Sequence, residues 1–139
     1  MLFRSVLSQI YEYAKANLNL EAMVYFSDHG QNPGNIRHPD KYGFGWLRIP
    51  LFMYLSPEYR AIYPQTVTEL EANRTKYFTN DLLFDTLMGM LNVKSNYYEA
   101  DNSLTSPSYK WTKETLKVFN PTLKIMNDQQ VDDNIETSK

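Results

Sequence analysis

Ala22-Met23-Val24-Tyr25-Phe26-Ser27-Asp28-His29-Gly30 passes from five apolar residues to Ser-Asp-His-Gly with no spacer between them. A short run that is apolar on both faces suits a strand buried on both sides, as in a parallel sheet covered by helices. Ligands of open α/β sheets bind beyond the carboxyl ends of the strands. A carboxylate and an imidazole leaving the strand there are placed to reach a metal together. Carboxylate oxygen and imidazole nitrogen are ordinary zinc ligands, and the following glycine lets the backbone turn with no side chain in the way. The plainer reading stays open beside this one: Asp28 can cap a turn.

Downstream, residues 30–45 read as one long loop. They hold four of the five glycines in the chain, with Pro33 and Pro39 among them, a density of breakers that excludes regular structure. Long loops in compact domains are often functional. Both histidines, His29 and His38, fall in or beside this loop. His38 can fold back to the Asp28–His29 point, or it can be a plain surface residue ahead of Pro39. Arg37 and Lys41 add positive charge suited to a phosphate. Tyr42, Phe44 and Trp46 alternate with glycines, and they either line a headgroup pocket or cover the sheet edge.

Upstream, residues 2–18 predict an amphipathic helix with Phe3, Val6, Leu7, Ile10, Tyr13 and Ala14 on one stripe, ended by Asn17 and Asn19. Beyond the loop, Ile49 to Leu55 predicts a second buried strand, with Pro50 at its start. Ser56 and Pro57 then open a helix as N-cap and first helical residue. Residues 66–78 predict a further helix. Thr79 or Asn80 caps the next one, with Leu83, Leu87, Met90 and Leu91 on one side. Residues 94–110 read as loop, and Trp111 to Phe119 as a short helix or an extended segment. From Asn127 the chain is polar and predicts a disordered tail. Asp132 and Asp133 lie in it without the calcium-loop pattern. The element order implies an α/β layer arrangement. Two strands are too few for a parallel sheet with a full core, which implies that part of the domain lies elsewhere.

The bulk numbers narrow the function classes. The chain has 139 residues, 14 Lys and Arg against 16 Asp and Glu, and a net charge of -2. Nucleic-acid binding draws on a basic face, and no such cluster occurs, so nucleic acid is set aside. The absence of cysteine removes disulfides, thiolate metal sites and cysteine nucleophiles. The longest apolar runs fall far short of the ~20 residues that cross a bilayer, and the N-terminus lacks the pattern of a signal peptide.

Tyr25-Phe26-Ser27-Asp28-His29-Gly30, the segment Arg48 to Tyr59 and the segment Asn80 to Val93 occur in an order that resembles the sulfatase and alkaline-phosphatase superfamily, in its phosphoethanolamine transferase branch. The resemblance covers about residues 2–95. It implies a partial alkaline-phosphatase-like three-layer sandwich with a mainly parallel sheet, whose N-terminal half is missing. Residues 1–126 are then the C-terminal part of a sulfatase-like catalytic domain, and 127–139 its tail. It also implies Zn²⁺ as cofactor, with Asp28 and His29 as metal ligands. His38, with Arg37, would contact the substrate phosphate or a second metal. A phospholipid donor and a lipid or glycan acceptor are the implied partners. Full-length members sit in the inner membrane with a periplasmic catalytic domain.

The sequence departs from the family at Gln31, where glutamate is usual, and in the short spacing from His29 to His38. The nucleophilic threonine of the family is expected upstream of Asp-His-Gly. Thr66, Thr68 and Thr79 all follow it on segments that read as helical, so none is nominated. In the implied reaction a threonine oxygen, made nucleophilic by zinc, takes phosphoethanolamine from the lipid and passes it to the acceptor. A fragment of such a transferase, inactive alone, is the leading expectation. The alternative is a non-catalytic stand-alone α/β module binding a partner or an anionic ligand. A complete small metallohydrolase is disfavoured, because two ligands and one more histidine leave the coordination sphere short.

Overall fold

The computed structural model describes residues 2–31, 44–118 and 124–127, with residues 2–5 described in backbone only. The described residues fall into two compact units, one within Met1–Ser27 and Pro50–Pro64, the other within Asp28–Ile49 and Gln65–Lys139.

The first unit is a helix on a strand pair. Helix α1 spans Leu2–Asn17. Asn19 then adopts a left-handed backbone with φ 49°, a conformation asparagine tolerates. Strand β1 (Ala22–Phe26) pairs with β2 (Leu51–Leu55). The pairing is antiparallel, with Ala22 opposite Leu55, Val24 opposite Met53 and Phe26 opposite Leu51. The mixed α/β class stands, but the expected parallel relationship of these strands does not. A parallel pair needs a crossover element, usually a helix, to carry the chain back. The only helix described between these strands is the four-residue α2, Phe44–Leu47. The strands are also half-buried rather than covered on both faces. Tyr11 of α1 packs edge-on against Tyr54 at 4.9 Å, whereas Phe26, on the opposite face, stays 40% exposed, and Phe52, on the same face as Tyr54, 60%.

The stripe on α1 differs from its expected composition. Ala14 is buried and Leu7 and Tyr11 are half-buried, while Val6, Ile10 and Tyr13 face outward. The helix is apolar on more than one face, so spacing alone did not choose between them. Leu7, Tyr11, Met23, Phe52, Met53 and Tyr54 line an apolar groove of about 470 Å³ within this unit. Helix α3 (Pro57–Ile62) opens as expected: Ser56 Oγ accepts from the Tyr59 amide at 2.9 Å, with Pro57 at the first helical position. Ser56 also donates to Glu21 Oε2 at 2.8 Å.

The second unit is built around α4 and α5. Helix α4 (Pro64–Asn73) begins two residues earlier and ends five residues earlier than the expected 66–78; its residues from Gln65 on belong to this unit. A 3₁₀ turn at Asn80–Leu82 leads into α5, Leu83–Met90. Asn92, at φ 51°, ends α5. The Val93 amide reaches Met88 O and the Asn92 amide reaches Gly89 O, which satisfies carbonyls the helix end would leave open. Leu82, Met90 and Leu104 are 4–5% exposed. Asn73 is buried and donates to Leu104 O at 3.0 Å and Ser106 O at 3.1 Å, and buried Thr86 accepts from the Leu104 amide. These bonds hold the irregular 99–110 segment against the helices by meeting its backbone groups with side chains. Trp111–Val118 contains turns and neither helix nor strand. The tail expected from Asn127 lies, after that residue, outside the described residues.

Candidate functional site

Asp28 and His29 follow β1 by two and three residues in sequence, and the structure brings their side chains together. His29 Nε2 lies 3.8 Å from Asp28 Oδ2. The other ring nitrogen, Nδ1, is 2.7 Å from the carbonyl oxygen of Gly30. A carbonyl only accepts, so Nδ1 is the donor in this contact, which leaves Nε2 as the ring nitrogen nearest the carboxylate. At 3.8 Å a direct Nε2–Oδ2 hydrogen bond is too long. Two donors on one tetrahedral zinc stand about 3.4 Å apart at ordinary Zn–N and Zn–O lengths. The pair therefore fits a shared metal after a shift of about half an ångström. A ligating histidine whose second nitrogen is tied to a backbone carbonyl is the usual arrangement at zinc.

The local backbone explains this geometry. The Gly30 amide donates to Trp46 O at 2.8 Å. A Cβ placed on Gly30 would collide with the carbonyl oxygens of Gly45 and Arg48, so only glycine allows α2 to sit this close. That contact sets the Trp46 ring beside the imidazole, with centroids 5.5 Å apart. Asn80 Nδ2 donates to Asp28 O at 3.0 Å from 52 residues away. Asp28 projects outward with its side chain 87% exposed, and His29 is 42% exposed, so both are open to a ligand from solvent.

Of the residues singled out in the sequence, Asp28 and His29 meet. His38, Arg37, Lys41 and Tyr42 lie outside the described residues. Among the described residues no group of three or more His, Asp or Glu side chains comes together, and two side chains are fewer than the four donors of a tetrahedral zinc site. The carboxyl-edge crevice expected for a parallel sheet is replaced by an antiparallel pair, whose strands share no common carboxyl edge. Sequence reasoning missed Asn80 as a member of the site. It read Asn80 as a helix cap, and nothing in the local pattern announces a bond across 52 residues.

The fold is mixed α/β and carries an Asp-His-Gly turn after an apolar strand, and the family comparisons place such a chain among the sulfatase-like proteins. The chain belongs to the family described as protein of unknown function (DUF229), which matches residues 4–126. It is 30% identical over 91 residues to phosphoethanolamine transferase EptA of Escherichia coli, in both strain K12 and O157:H7. That stretch is 60% of this chain and 16% of the relative. It is 29% identical over 94 residues to the protein of the same name from Salmonella typhimurium, covering 62% of this chain and 17% of that protein. The matched region thus spans about one sixth of the length of these curated relatives. No solved structure matches the chain significantly. The resemblance to the phosphoethanolamine transferase branch stands on these matches. Among the described residues no helix is long and apolar enough to cross a membrane.

Proposed function

We propose that this chain supplies part of the metal-binding side of a zinc-dependent phosphoethanolamine transferase centre, with Asp28 and His29 as ligands. The observation that carries the reading is the Asp28 Oδ2–His29 Nε2 approach of 3.8 Å with Nδ1 tied to Gly30 O. A carboxylate oxygen and an imidazole nitrogen at this separation are both ordinary zinc donors and need move little to share one cation.

When bound, zinc lowers the pKa of a coordinated hydroxyl and offsets charge on a phosphoryl group. The residues of the chain have separate tasks. Asp28 supplies negative charge to the cation. His29 supplies a neutral donor whose orientation its own Nδ1–H fixes. The Trp46 ring limits where the imidazole can swing. His38 and Arg37 are assigned to the substrate phosphate, to whose oxygens an imidazole N–H and a guanidinium can both donate, or to a second metal. The nucleophilic threonine is assigned to none of the described residues. The donor is a phospholipid carrying phosphoethanolamine and the acceptor a lipid or glycan at the outer face of the inner membrane.

The larger fold follows from the same reading. A lone two-stranded sheet is marginal in water, and the exposed Phe26 and Phe52 with the apolar groove offer surface to further layers of an alkaline-phosphatase-like sandwich. Residues 1–126 would be the contribution of this chain to that sandwich.

Isothermal titration of zinc into the chain, into His29→Ala and into Asp28→Asn tests the assignment. Each substitution is expected to weaken binding at least tenfold. Equal zinc uptake by all three proteins would remove the metal reading.

A further inference from the structure

The metal pair sits on backbone that is held from two directions, and one of those holds comes from a side chain with no assigned role. The Asp28 carbonyl belongs to the peptide plane on the N-terminal side of the His29 Cα, and the Gly30 amide to the plane on its C-terminal side. Trp46 O pins the second plane by accepting from the Gly30 amide at 2.8 Å. Asn80 Nδ2 pins the first by donating to Asp28 O at 3.0 Å. With both planes fixed, the φ and ψ angles of His29 have little freedom, and the direction of its side chain is set before any ligand arrives. Asp28 is the residue whose own carbonyl Asn80 holds, so the same peptide plane carries both members of the pair.

Asn80 is well founded for this task. It opens the 3₁₀ turn Asn80–Leu82, closed by the Leu82 amide on Thr79 O at 3.0 Å. The turn, with Leu82 buried, continues into α5, where Asp85, Thr86 and Met90 are buried. A short amide on a turn anchored by a buried helix is a stiff support, whereas a long side chain would spend rotamer entropy in holding the same bond.

We propose that Asn80 is a positioning residue for the Asp28–His29 pair, acting through the Asp28 carbonyl rather than by touching a ligand. The proposal rests on the metal reading for its functional meaning but not for its structural content. Removing a supporting bond of this kind lowers metal affinity by about 10–100-fold in well-studied sites.

The test uses the full chain with Asn80→Ala and Asn80→Asp. The second keeps the shape but turns an acceptor toward a carbonyl. Asn80→Gln, which retains the amide donor, is the rescue. Two readouts are taken. The first is the affinity for Zn²⁺ and for Co²⁺, the latter followed by its visible absorption. The second is the NMR spectrum of the His29 ring without metal, whose carbon-bound protons sense the Trp46 ring and whose nitrogens report the tautomer. Methyl signals of Met90 show whether the α5 core is intact. Asn80→Ala and Asn80→Asp are expected to shift the His29 signals and weaken both metals about tenfold while Met90 is unmoved, with partial recovery in Asn80→Gln. Shifted His29 signals with metal uptake unchanged in these variants and in His29→Ala would uphold the positioning role and overturn the metal reading. Unmoved His29 signals with the Met90 core intact would overturn the proposal. If both alanine and aspartate variants disturb Met90, Asn80 is a general structural residue and the proposal is likewise overturned.

Discussion

Replacing Gly89 with alanine sets helix propensity against packing, and the structure decides which wins. Gly89 lies inside α5 (Leu83–Met90). In an exposed helix interior, glycine to alanine stabilises by about 1 kcal/mol, because alanine has less backbone entropy to lose. Here a Cβ would run into Thr105 Oγ1, lie 2.8 Å from Ser103 Oγ and lie 3.1 Å from Thr105 Cβ. Ser103 is fully buried. Its Oγ bonds to Thr105 Oγ1 at 2.7 Å and accepts from the Thr105 amide at 3.2 Å. Rotating both hydroxyls away sacrifices two hydrogen bonds worth about 1 kcal/mol each. Keeping them forces the segment off the helix, an overpacking cost of about 1–3 kcal/mol. Set against the propensity gain, Gly89→Ala is expected to lose about 1–3 kcal/mol. In urea, a chain of this size with a slope of about 1–2 kcal/mol per molar would show a midpoint lowered by about 1 M. Adding Thr105→Ala removes the worst collision, so Gly89→Ala should cost less in that background, a coupling measurable by a double-mutant cycle. A Gly89→Ala protein as stable as the parent, or more so, would refute the close approach of 103–105 to α5.

Tyr109 donates its hydroxyl to Tyr77 O, and burial pushes its pKa well above the ordinary 10.0. The unfolded chain therefore releases this proton first as the pH rises, so the contribution of Tyr109 is complete below about pH 10 and declines above it. Tyr109→Phe is expected to cost about 1 kcal/mol at neutral pH and to flatten the alkaline decline in urea midpoint; an unchanged decline would exclude Tyr109 as its source. Ser56→Ala removes both the cap of α3 and the bond to Glu21, and is expected to lower stability by about 1–2 kcal/mol, with Ser56→Thr recovering most of it. An alanine variant of parental thermal midpoint would refute the cap.

Several elements were legible from local chemistry. Ser56-Pro57 announces the start of α3 because a hydroxyl and a proline both suit orphan helix donors. Asn19, read as part of the end of α1, does sit there at positive φ. The Asp28–His29 adjacency and the glycine after it were readable because ligand chemistry and backbone permissiveness are properties of single residues. The family assignment rests on three short blocks in order, which are also local signals.

Strand direction was not local. A run such as Ala22–Phe26 has the same side chains whichever way its partner points. The hydrogen-bond register with Leu51–Leu55, fixed by where the chain returns, makes the pair antiparallel. The face of α1 that is buried was equally open, since an apolar stripe names candidates and only the neighbouring surface chooses among them. The same holds for Asn80. Its sequence neighbours mark a helix start, whereas its bond to the Asp28 carbonyl spans 52 residues and exists only once the second unit has folded. Sequence by itself determined which side chains carry ligand chemistry and that Ser56-Pro57 would open a helix. Tertiary structure decided which backbone planes hold those groups, because contacts between distant segments depend on the path of the whole chain.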